Sequence, residues 1–114
     1  MPYLPNYLRI NRKQSSLSQE EVALMLGVKG MDKGGKVSRD ENNARTPTLE
    51  TALAYEAIYG KPVRELFAGL YEQIERDVSS RAKLLSYRKN ETPDPKRQQA
   101  LSEIALRYSI SAVN

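Results

Sequence analysis

The chain contains neither cysteine nor histidine. Disulfides, a structural zinc site, a thiol nucleophile and every imidazole base are thereby excluded. An enzyme would be left with carboxylate, lysine or tyrosine chemistry. No paired catalytic groups stand at a workable spacing, so no catalytic residue and no cofactor are assigned and the chain is read as a non-enzyme. Asp32, Asp40 and Glu41 lack the second acidic cluster that a divalent ion needs, so no metal is expected and capping or ion pairing is the plainer account. No apolar run is long enough to span a bilayer, and Met1-Pro2-Tyr3-Leu4-Pro5 lacks the apolar core of a signal peptide. With no cysteine, the expectation is a cytoplasmic protein with no membrane partner. Internal repeats and low-complexity tracts are missing too.

Charge is present but weakly biased. The 114 residues carry 18 basic and 14 acidic side chains, net +4. Residues 1–71 hold 10 and 8 of them and residues 72–114 hold 8 and 6, so neither half is strongly basic. Such a balance favours a polyanionic partner only slightly, and pattern must carry the argument.

Proline, glycine and capping residues divide the chain into helices. Pro5 can open a first helix running to about Gln14, with Leu8 inward and Arg9, Arg12 and Lys13 on its flanks. Ser18 with Glu21 forms a capping box for a second helix, whose apolar stripe is Leu17, Val22, Ala23 and Leu26 and whose stop is Gly27. Gly30, Gly34 and Gly35 mark a flexible turn. They follow no strand and lack the Gly-Lys-Ser/Thr ending of a phosphate-cradling loop. A short third helix is expected from about Gly35 to Asn42, closed by Asn43 in a left-handed conformation. Thr48 caps a fourth helix, Leu49 to Tyr59, which Gly60 ends. Pro62 opens a fifth, with Val63, Leu66, Phe67, Leu70, Tyr71, Ile74 and Val78 at spacings of three and four. It is expected to extend to about Tyr87, with Ser79-Ser80 as a break point. Residues 89–95 read as a linker, and Asp94 caps a last helix carrying Leu101, Ile104, Ala105 and Tyr108 on one face. No strand is evident.

Two short helices joined by a glycine-containing turn, inside a cluster of five, is the arrangement that places a helix in the DNA major groove. Residues 36–45 suit such a helix. Val37 is their one large apolar residue and serves as an anchor, leaving Lys36, Arg39, Asn42 and Arg45 outward. Arginine can bond guanine on two atoms, and asparagine at a helix end can bond a phosphate.

The resemblance then becomes specific. Leu17-Ser18-Gln19-Glu20-Glu21-Val22-Ala23, Leu26-Gly27-Val28, Val37-Ser38-Arg39 with Glu41, Pro47-Thr48-Leu49-Glu50-Thr51 and Glu65-Leu66-Phe67 follow in order over residues 4–71. Together they resemble the Xre/Cro-type family of helix-turn-helix regulators. The resemblance implies an all-α protein: a compact five-helix helix-turn-helix domain of the phage repressor type in residues 1–71, with an extended fifth helix and a C-terminal helix. It implies a phosphate contact by Gln19, recognition-helix positions at Ser38 and Arg39, a phosphate contact at Asn42, and a structural ion pair between Arg12 and Glu41. Lys33, Lys36 and Arg45 are expected to hold phosphates, with Lys29, Lys33 and Lys36 able to reach the backbone from an extended loop.

Three positions depart from the family's pattern. Residues 29–36 make a longer turn. Asp40 stands where an apolar or aromatic residue is usual, so a less well packed third helix and an unfavourable approach to phosphate are expected. Asn11 replaces a core leucine and should soften the first helix.

The seven tyrosines could stack on single-stranded bases, but Tyr55, Tyr59, Tyr71 and Tyr108 sit at helical spacing with Leu or Ile, and packing is the plainer account. Apolar residues beyond Leu70 need a partner once a five-helix unit is complete. The stripe past Leu70 fits either intramolecular core or a dimer surface; the second is the expectation, and residues 72–114 are read as a helical extension for dimerisation or partner binding. The expected function is sequence-specific binding of double-stranded DNA by a transcriptional regulator, as a homodimer on a two-fold operator. The alternative is an antitoxin or adaptor whose C-terminal helices grip a protein partner while DNA binding is secondary.

Overall fold

The structure, a computed structural model, describes residues 6–30, 33–88 and 94–113. Among them the chain is all helical, with no strand: α1 (Leu8–Gln14), α2 (Gln19–Met25), α3 (Lys33–Glu41), α4 (Leu49–Tyr59), α5 (Val63–Leu66), α6 (Ala68–Ser86) and α7 (Pro95–Val113). No described helix is long and apolar enough to cross a membrane. The chain divides into two compact units, Met1–Leu70 and Tyr71–Asn114.

Local chemistry sets most helix ends. At α2 the Glu21 amide donates to Ser18 Oγ at 3.0 Å while the Ser18 amide donates to Glu21 Oε1 at 2.8 Å. Two amides that the helix leaves unpaired are thus satisfied reciprocally. Thr48 Oγ1 caps α4 by accepting from the Thr51 amide at 3.2 Å. Gly60 closes α4 at φ +67°, a left-handed conformation that an added Cβ would penalise. After α3 the same task falls to Asn43, at φ +57°. Asparagine tolerates this conformation better than most side chains.

The core of the first unit is built from Leu8, Val22, Ala23, Val37, Ala52, Tyr55, Leu66 and Phe67, so α1 to α5 each contribute. Leu17, Leu26, Val28, Ile58, Tyr59 and Val63 pack around it. Each large side chain fully withdrawn from water contributes about 1.5–3 kcal/mol before chain entropy is charged against it. Within the second unit, Ser79 Oγ on α6 donates to the Ile104 carbonyl of α7 at 3.1 Å. The Arg76 guanidinium lies 5.4 Å from the centre of the Tyr108 ring and donates to its hydroxyl at 3.2 Å.

Several sequence expectations need correction. The third helix begins at Lys33, not Gly35, so Gly34 and Gly35 are helical and Lys33 is the first helical residue, not part of an extended loop. The fifth helix is not one long element. It breaks at Phe67 (φ −119°, ψ 45°), where the ring turns into the core and meets Tyr55 edge-on with centroids 6.4 Å apart. No break occurs at Ser79-Ser80, because Ser79 is buried with its hydroxyl satisfied by Ile104. The expected helix start at Pro5, residues 89–93 of the linker and Met31-Asp32 of the glycine-rich turn lie outside the described residues.

Candidate nucleic-acid interface

Helix α3 has two faces because only part of it is apolar. Val37, Asp40 and Glu41 are buried. Helical periodicity puts Ser38, Arg39 and Asn42 on the opposite side, where Ser38 is half-buried and Arg39 and Asn42 are exposed. Asn42 Nδ2 approaches Ser38 Oγ at 3.4 Å, a long contact that leaves both groups able to turn outward.

The buried side of α3 is held by two carboxylates as well as by Val37. Glu41 accepts from Arg12 Nε at 2.6 Å and from Arg12 Nη2 at 3.2 Å, a bidentate pair between α1 and α3. Arg12 Nη1 also donates to the Leu17 carbonyl at 3.1 Å. The bond to Glu41 raises the Arg12 pKa further, so the guanidinium stays charged. Gln19 Nε2, at the start of α2, donates to Glu41 Oε1 at 3.2 Å. One carboxylate thus ties three helices together. A carboxamide has two N–H donors, so Gln19 retains one for a further acceptor. A Cβ added at Gly34 would meet Gln19 Cβ at 3.6 Å, an ordinary contact, so this approach of α3 to α2 does not itself require glycine.

Asp40 does not face outward toward a phosphate, as its position suggested from sequence. Its side chain is fully buried and Oδ2 accepts from the Tyr55 hydroxyl at 2.7 Å. Two cations flank it: Lys36 Nζ lies 3.6 Å from Oδ2 and Arg45 Nε lies 3.9 Å from Oδ1. Oδ1 itself has no hydrogen-bond partner. Lys36 and Arg45 therefore stand over a buried negative charge instead of pointing freely outward. Burial, reinforced by the bond to Asp40, pushes the Tyr55 pKa well up. Tyr59 stacks on Tyr55 with ring centres 6.0 Å apart. Its hydroxyl is buried without a partner, and burial beside Glu41 pushes its pKa up to about 12.

Of the residues singled out from sequence, Gln19, Arg12 and Glu41 are joined in one network, while Lys36 and Arg45 meet at Asp40. Ser38, Arg39 and Asn42 share the outer face of α3, and Lys33 opens the helix half-buried. Sequence reasoning missed Asn6, whose Nδ2 donates to the Asp40 carbonyl at 2.9 Å and to Asn43 Oδ1 at 2.7 Å. It also took Tyr55 for packing alone. The available signal was a tyrosine at a core position one helix away from an unexplained aspartate, since buried phenols need an acceptor. Among the described residues no cluster of three or more acidic side chains could hold a metal ion. Comparison of the chain with protein-family models, with curated proteins and with solved structures gives no match.

Proposed function

We propose that the first unit binds double-stranded DNA in a sequence-dependent way, with α3 entering the major groove, and that the protein acts as a transcriptional regulator of the helix-turn-helix kind. The observation that carries this reading is the two-faced α3: anchored inward through Val37, Asp40 and Glu41, and polar outward through Ser38, Arg39 and Asn42. Its nine residues make a rod about 14 Å long, and a helix about 10–12 Å across with its side chains matches a groove about 12 Å wide. Arg39 and Ser38 then read base edges. Gln19, Asn42 and Lys33 hold phosphates, and Lys36 and Arg45 supply positive charge before and after the Ser38–Asn42 stretch. Two copies joined through residues 72–114 would set their reading helices about 34 Å apart, one turn of duplex.

Selection of bound sequences from random duplex DNA tests this directly. An enriched palindrome is expected, and Arg39→Ala should cost about 1–3 kcal/mol on it and relax preference at one position. Binding of selected and random duplexes with equal affinity would defeat the reading.

A second reading, a protein-interaction module of the antitoxin or adaptor kind, draws on α6. Tyr71, Ile74, Val78, Leu84 and Leu85 are all exposed there. A partner recovered in equal amount, together with duplex affinity that stays weak at low salt, would favour it.

A further inference from the structure

We propose that Asp40 is an internal competitor for the DNA backbone: it draws Lys36 and Arg45 toward a buried carboxylate and so limits how strongly α3 grips phosphate of any sequence. The assignment rests on the reading of α3 as the DNA-contacting helix. Lys36 lies one turn before Asp40 on that helix and Arg45 four residues beyond its end, so in sequence the two cations bracket Ser38, Arg39 and Asn42. Both reach the same carboxylate, at 3.6 and 3.9 Å, from opposite oxygens. They remain reachable from outside, since their side chains are 24% and 52% exposed while that of Asp40 is wholly enclosed. Neither contact closes to hydrogen-bond distance, and Oδ1 accepts no hydrogen bond. The cations are therefore attracted but not locked. An arriving phosphate must compete with Asp40 for each of them, and the exchange returns less than an unpaired cation would give.

Phosphate engagement displaces counterions, so it is read in the slope of affinity against salt. Asp40→Asn preserves the shape and can still accept from the Tyr55 hydroxyl, but removes the charge. Fluorescence anisotropy with a labelled mixed-sequence duplex, at several salt concentrations, compares it with the wild-type chain. Asp40→Asn should bind about five to ten times more tightly, with a log–log salt slope steeper by about one to two. Tyr55→Phe, which loosens the same site but keeps the charge, should leave the slope unaltered. That separates competition from mere loss of structure.

Equal or weaker binding by a folded Asp40→Asn, with the wild-type slope, overturns the assignment. Should Asp40→Asn fail to fold, Lys36→Gln and Arg45→Gln report from the other side. Each is expected to flatten the wild-type slope by less than half of the roughly 0.9 that one fully engaged phosphate contributes, and a full loss from both would overturn the assignment. A wild-type chain with no measurable affinity for the duplex refutes the DNA reading itself and takes the role of Asp40 with it. A wild-type chain that binds, beside an Asp40→Asn that changes nothing, refutes only the latter.

Discussion

Tyr55 and Tyr59 stand one turn apart on α4 with their rings stacked, and each carries a buried hydroxyl. Phenylalanine at either place removes a single oxygen and leaves the ring packing alone, so the two variants isolate what each hydroxyl does. The Tyr55 hydroxyl makes the only hydrogen bond to the Asp40 carboxylate oxygens among the described residues. A bond to a charged group is worth about 1.5–3 kcal/mol, and its loss leaves a buried acceptor less well satisfied. Tyr55→Phe should therefore cost about 2 kcal/mol. The Tyr59 hydroxyl has already lost water and gained nothing in return. Removing it should relieve about 1 kcal/mol.

For a domain of this size each kcal/mol moves Tm by about 4–8 °C. The expected shifts are roughly 10 °C down for Tyr55→Phe and roughly 5 °C up for Tyr59→Phe, on the same conversion. Thermal and urea unfolding at neutral pH check both, the urea slope serving to confirm that the unfolding reaction itself is unchanged. Burial raises both phenol pKa values, that of Tyr59 to about 12, so neither ionises under these conditions. Loss of similar size in the two variants would refute the reasoning, because a hydroxyl with a partner and a hydroxyl without one would then be worth the same.

Three further outcomes are expected. Arg12→Met strands Glu41, whose side chain is 2% exposed, with Gln19 as its remaining partner; it should cost about 3 kcal/mol by denaturant titration, and adding Glu41→Gln should recover part of that. The Ser18 amide, as backbone donor, holds the Glu21 carboxyl below its ordinary value of 4.5. A lowered folded pKa stabilises above the unfolded value and loses that contribution as pH falls through the folded one, so acid should weaken the α2 cap from about pH 5 downward, and Glu21→Gln should show a shallower acid loss. Gly34→Ala places its methyl at 3.6 Å from Gln19 Cβ, ordinary contact distance; with helix propensity improved, it should raise stability by about 0.5 kcal/mol in the same titration.

The sequence was most informative where one side chain settles a backbone problem. The Ser18–Glu21 box, the Thr48 cap, Gly60 and the left-handed Asn43 are all found where local chemistry requires them. Glycine reads as a turn at residues 34 and 35 because of its poor helix propensity, whereas both positions fall inside α3. The stripe from Val63 to Val78 has unbroken spacing, and periodicity has no means of registering a single residue, Phe67, that leaves the helix to fill the core. Asp40 was misread for a related reason. An acidic residue at a usually apolar position is expected to loosen α3 and to face phosphate, but its burial depends on Tyr55, Lys36 and Arg45, which only the folded chain assembles. The contact between Arg12 and Glu41, implied by a resemblance and not by spacing, is present at 2.6 Å.

Asn6 fastens the far end of α3 from outside it. Its amide reaches the Asp40 carbonyl and Asn43, while its own Oδ1 accepts from the Leu8 amide at 3.1 Å. Asn6→Ala would therefore release that end of the helix without altering one residue of it. The placement of the end of α3 is thus written partly in a residue that precedes α1, 34 positions before Asp40 in the chain.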